Sequence, residues 1–186
     1  MRDDESAAPT RIVAGEDAGT IAARHERFVE GCHRAIARAD HCLVYALIHR
    51  DEGKHLGVTS QIDGPGEDDA FFDALEVVAI THEAVAISVA MQLLVTLPTG
   101  EQREALATSV AGQDRDGCVR VIASKMEWIE RQSAAAATFE LCYDGSPCDR
   151  AVLDRMQRAA AADRDERERA WTILKGLRGV GSLRSL

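Results

Sequence analysis

The sequence predicts an all-α protein, an up-and-down helical bundle of four long helices plus one short helix. Three observations predict it. The apolar residues are mostly Ala, Leu, Val and Ile set among abundant Arg and Glu, with only 4% aromatics, and such a composition favours helix. Apolar positions recur at helical spacing over long windows. Only four prolines interrupt 186 residues, and they fall where boundaries belong.

Residues 1–18, polar and punctuated by Pro9 and Gly15, predict a flexible N-terminal arm. A single helical-bundle domain is expected over 19–177, and a basic C-terminal tail over 178–186. The first helix is placed at 21–50, where Phe28, Cys32, Ala35, Ile36, Ala39, Leu43 and Ala46 share one face. The glycine-rich stretch 51–66 is long for a bundle connection, and loops of that length are often functional or mobile. The acidic start Glu67-Asp68-Asp69 suits a helix N-terminus, and the helix it opens is expected to reach residue 96. That helix is apolar nearly all round, which places it at the bundle centre or in a subunit interface.

Pro98 ends it, and Thr99 with Gln102 reads as a capping box for the short helix over 99–112. The next long helix is expected over 114–143, with Cys118, Ile122, Met126, Ile129, Ser133, Ala136 and Glu140 inward and Gly145 after its end. Ser146-Pro147-Cys148-Asp149 is the clearest helix start in the chain, opening a last helix over 149–177. Within it, 163–169 is continuously charged and is expected to face solvent.

The net charge is −9 and the pI near 5.1, so this acidic protein repels a phosphate backbone, and no nucleic acid partner is expected. From Asp149 onward, nine Lys/Arg face six Asp/Glu, a local +3 that leaves −12 on residues 1–148. The N-terminus lacks the apolar core of a secretory signal. The longest apolar region, 74–97, is broken by Glu76, His82, Glu83 and Gln92, so no membrane span is expected. Five cysteines without a signal suggest a reducing compartment, and the expected localisation is cytoplasmic.

His82 and Glu83 stand in the run VVAITHEAVAISVA. A carboxylate there must be paired, protonated or metal-bound, because an unpaired buried charge is too costly. Glu140, Lys125 and His25 fall on or beside apolar stripes of other helices, and Glu76 shares a face with Glu83. Glu and His projecting inward from several helices is how bundles hold metals and small ligands, so His82, Glu83, Glu140 and His25 are the ligand or metal candidates. The alternative is a buried salt bridge, such as Lys125 with a Glu, beside a hydrogen-bonded core histidine. Cys142 and Cys148 bracket the turn YDGSP, and whether they pair is left open. Glu30-Gly31-Cys32-His33 matches a Glu-x-x-His element, but no second one accompanies it. There is no phosphate-binding glycine loop, no Gly-x-Ser-x-Gly and no His-Glu-x-x-His.

Cys42-Leu-Val-Tyr45-Ala-Leu-Ile-His49, followed by Gly57 and preceded twelve residues earlier by Glu30, resembles the redox segment of the carboxymuconolactone decarboxylase and alkylhydroperoxidase-like family. That resemblance covers about 28 residues and implies an all-helical, oligomeric fold with Cys42 and His49 in the site. Tyr45 stands where the family's second cysteine would be, so no dithiol can cycle.

Two functions are therefore expected. One is a buried His/Glu site that binds a small ligand or a metal ion, as sensor or enzyme, with the cofactor unknown. The other is a non-enzymatic regulatory or assembly protein acting through a homo-oligomer and a protein partner.

Overall fold

The computed structural model describes residues 17–38, 43–61, 67–133 and 135–177. It overturns the helical bundle: the chain folds as a six-stranded antiparallel sheet with four helices. In order these are α1 (Ala18–Ile36), β1 (Leu43–His49), a short 3₁₀ turn (Asp51–Gly53), β2 (His55–Gln61), α2 (Glu67–Thr81), β3 (Ala86–Thr96), β4 (Gln102–Gln113), β5 (Val119–Ser133), β6 (Ala136–Tyr143), α3 (Asp149–Ala161) and α4 (Arg164–Leu177). The sheet order is β2-β1-β3-β4-β5-β6, and every neighbouring pair is antiparallel. The expected arm at 1–18 and tail at 178–186 lie outside the described residues, apart from Asp17 and Ala18.

The helix expected over 21–50 is cut in two. α1 ends at Ile36, and LVYALIH becomes β1, with Val44, Ala46 and Ile48 on one face and Tyr45, Leu47 and His49 on the other. The helix expected over 67–96 is likewise α2 followed by β3. The break is a Schellman turn: Ala84 N–H reaches Ala79 O at 3.0 Å and Glu83 N–H reaches Ile80 O at 3.3 Å. Glu83 holds the left-handed position, φ 51°, that glycine usually fills, so the ordinary stop signal is missing from the sequence.

The short helix expected at 99–112 is β4. Thr99 caps nothing helical; it sits in the β3–β4 turn, where Leu97 N–H bonds Glu101 O at 2.8 Å and Gly100 takes φ 84°. The helix expected over 114–143 is the β5–β6 hairpin. The last expected helix is α3 and α4, divided by a capping box: Glu166 N–H donates to Asp163 Oδ1 at 2.8 Å, and Asp163 N–H to Glu166 Oε2 at 3.1 Å.

Helices cover both faces of the sheet. α2, α3 and α4 lie on one, over Val44, Ile48, Ile87, Val89, Met91 and Ala107, with Phe71, Leu75, Val152, Met156 and Leu174 filling the layer. α1 lies on the other, over Ala86, Ala90, Leu106 and Val110. This two-sided cover explains the misreading. β3 is buried continuously from Ala86 to Gln92, and β4 from Ala105 to Gly112, so neither shows the alternation that marks a half-exposed strand. Among the described residues, no helix is long and apolar enough to cross a membrane.

Candidate ligand groove

α1 begins at Asp17, whose Oδ1 accepts from Gly19 N at 2.9 Å and Thr20 N at 3.3 Å. Its buried stripe is Ile21, His25, Val29, Cys32 and Ile36, at the three- and four-residue spacing of one helix face. Gly112 lets that stripe sit close to the sheet. A Cβ there would lie 2.9 Å from Ile122 Cδ1, 3.0 Å from Ala86 Cβ and 3.1 Å from Ile21 Cδ1.

The helix lies over β3, β4 and β5 and meets β1 only along its flank, leaving the β1–β2 strip of this face uncovered. The result is a groove of about 620 Å³ between α1 and the two strands. Arg24, Arg27, Phe28, Gly31 and Ala35 form the helix wall, and Tyr45, Leu47, His55, Gly57 and Thr59 the strand wall. The walls are mostly apolar, and among the described residues no acidic residue lines them.

The groove has two distinct ends. Arg24 reaches the hairpin tip, its Nη2 3.3 Å from where a Gly53 Cβ would be, and His55 lies beside that tip. At the other end Cys32 and Ala35 stand by Tyr45, which pairs with Thr59. Burial pushes the Cys32 thiol up to about 12, so it stays protonated. Burial, with Cys32 nearby, also raises the Tyr45 phenol.

Beside the groove, under α1, lies a polar layer. His49 Nε2 is hydrogen-bonded to Ser88 Oγ at 2.8 Å, while its Nδ1 is buried without a partner. His25 is 1% exposed, and neither ring nitrogen finds a hydrogen bond. Burial first, then the charge of Lys125, lowers His25 to about 4. Burial, then Arg24, His25 and His55, lowers His49 to about 3. Further along, His33 Nε2 donates to Glu127 Oε2 at 2.9 Å, Lys125 Nζ lies 3.3 Å from Glu127 Oε1, and Phe139 stacks on His33 at 3.9 Å. Burial pushes the Glu127 carboxyl up, but the His33 hydrogen bond and Lys125 outweigh it, and the group sits below its ordinary value.

The residues singled out from sequence are scattered by this fold. His25, His49 and Lys125 come together under α1. His82 and Glu83 form the α2–β3 turn, where the His82 carbonyl accepts from Arg50 Nε at 3.2 Å. Glu83 is exposed and pairs with Arg167 of α4 at 3.0 Å. Glu76 is bound by Arg155 at 3.1 Å and Arg158 at 2.9 Å from α3. Glu140 is exposed on β6. The four principal candidates thus stand at three separate places, the α2–β3 turn, β6 and α1, and the metal reading is corrected: among the described residues no group of three or more His, Cys, Asp or Glu could hold a metal ion. Cys142 and Cys148 are both free thiols, and Cys142 donates to Met126 O at 3.2 Å. Cys42 lies outside the described residues.

Arg24, Arg27, Gly31 and Thr59 escaped the sequence reading as site residues. One signal was present: Gly31 interrupts an otherwise good helix former, a position that calls for a reason. The segment that resembles the carboxymuconolactone decarboxylase family is a strand, not the helix the resemblance implies. Comparison with protein-family models, curated proteins and solved structures finds no match for the chain.

Proposed function

We propose that the protein binds a small, largely apolar molecule in the groove between α1 and the β1–β2 hairpin and does not transform it. The observation that carries this reading is the strip of sheet face left uncovered beside α1, which closes the same face over β3, β4 and β5. Its volume, about 620 Å³, suits a small ligand, and its apolar walls with a few polar groups match the usual make-up of such sites. Binding is favoured over catalysis because Cys32 and Tyr45, the candidate nucleophiles of the lining, are both pushed away from their ionised forms. The test is a titration with the neutral apolar dye Nile red. Saturable one-to-one binding that disappears in Gly31→Leu supports the groove; binding unchanged by Gly31→Leu places the dye elsewhere and rejects it.

A second reading, self-association, is favoured by β6. This edge strand presents Leu141 at 60% and Tyr143 at 62% exposure. Antiparallel pairing with β6 of a second copy would satisfy both free edges about a two-fold axis. A single-chain mass in sedimentation at micromolar concentration rejects it.

A further inference from the structure

Resting on that reading of the groove, we infer its ligand class: an anionic amphiphile, a medium-length acyl carboxylate, with its head at the Arg24–Arg27–His55 end and its tail running toward Tyr45 and Ala35. The first support is charge placed against the molecule's own field. The chain carries −9 overall, yet among the described residues this lining holds two arginines and no acid. Arg27 is exposed at the rim and makes no ion pair among the described residues. A local cationic site on an acidic protein selects an anion by contact rather than by bulk attraction.

The second support is the polarity of the groove along its length. α1 and β1 run in opposite directions, so Arg24 meets the hairpin tip near His55 while Cys32 meets Tyr45. The lining's arginines are therefore confined to one end, and among the described residues the other end carries no charged side chain. From Arg24 to Ala35 the helix rises about 16 Å, the scale of a medium acyl chain.

The third support is Gly31. It stands inside α1, where glycine weakens a helix, yet a Cβ built there meets nothing within 4 Å. No packing contact demands the glycine. What its missing side chain does provide is depth in the middle of the groove, where a tail would lie.

The experiment compares dodecanoate, dodecanol and dodecyltrimethylammonium, all below their micelle concentrations, by calorimetric titration into the full chain. Dodecanoate is expected to bind about tenfold or more tighter than the other two. Arg27→Gln should bring dodecanoate down to the level of dodecanol, and Gly31→Leu should abolish binding of all three while raising Tm. Equal binding of the three probes, lost in Gly31→Leu, overturns the anion inference and leaves the groove reading intact. Tightest binding of the cation overturns it too, because the molecule's net charge then governs. No binding of any probe, or binding indifferent to Gly31→Leu, removes the groove reading itself.

Discussion

At the residue scale, glycines make opposite demands on the same helix. Gly31 has open space around it, so Gly31→Ala should stabilise the protein by about 1 kcal/mol through helix propensity alone. Gly112 lies against Ile21, Ala86 and Ile122, so Gly112→Ala should destabilise by about 1–3 kcal/mol through overpacking. Urea midpoints of the two variants check this, and shifts of the same sign would contradict the close docking of α1. Glu83 is the complementary case. It holds a left-handed conformation that costs a non-glycine residue about 1 kcal/mol, against a half-exposed pair with Arg167 that contributes about 0–1 kcal/mol. Glu83→Gly is therefore expected to be neutral or mildly stabilising in thermal denaturation. A loss of several kcal/mol would mean that Glu83 is buried and paired, as the sequence reading supposed.

At the element scale, the capping box between α3 and α4 decides where one charged helix becomes two. Asp163→Ala should cost about 1 kcal/mol, since it leaves Glu166 N–H without its acceptor. α4 keeps Ala170 and Leu174 buried, so the helix frays at its start instead of detaching. Equilibrium unfolding would register the loss, and amide exchange at the start of α4 would localise it. Elements are also where the sequence reading failed, for identifiable reasons. The β5–β6 turn falls in an alanine run between Ser133 and Ala136, a strong helix former with no turn residue but Ser133. β3 and β4, buried on both faces, lack the alternation that separates strand from helix.

At the scale of the whole molecule, two buried histidines link stability to pH. Both are held neutral in the fold, whereas in the unfolded chain they take up protons near 6.5. The unfolded state then binds more protons, so stability is full above about pH 6.5 and falls on acidification. The contribution of His25 levels off near pH 4 and that of His49 near pH 3. Each should contribute a slope of up to about 1.4 kcal/mol per pH unit within its window. Glu127, held below its ordinary value, acts in the same sense at lower pH. His25→Leu removes two unpartnered ring nitrogens, and should hold or raise stability at pH 7 while flattening the loss between pH 6.5 and 5. Denaturant unfolding across that range is the check. A wild-type curve flat from pH 7 to 5 would show that these imidazoles are not buried neutral.

Much of the chain's segmentation is legible in the sequence, because turn chemistry is local. Breaks read at Pro98, Gly112 and Gly145 reappear close to the ends of β3, β4 and β6, and α3 starts at Asp149 behind Ser146-Pro147. Ser146 and Asp149 hold that start together, with Ser146 N–H on Asp149 Oδ2 at 3.2 Å. What fills the segments was decided by tertiary structure. Apolar runs such as LVYALIH and AISVAMQLLVT serve a buried helix or a doubly covered strand equally well, and only pairing with β4 and cover from α1 and α2–α4 selects the strand. The groove was beyond the sequence for the same reason. Arg24, Gly31, Tyr45 and Thr59 face one another only because α1 crosses the sheet off-centre, and that placement comes from long-range packing.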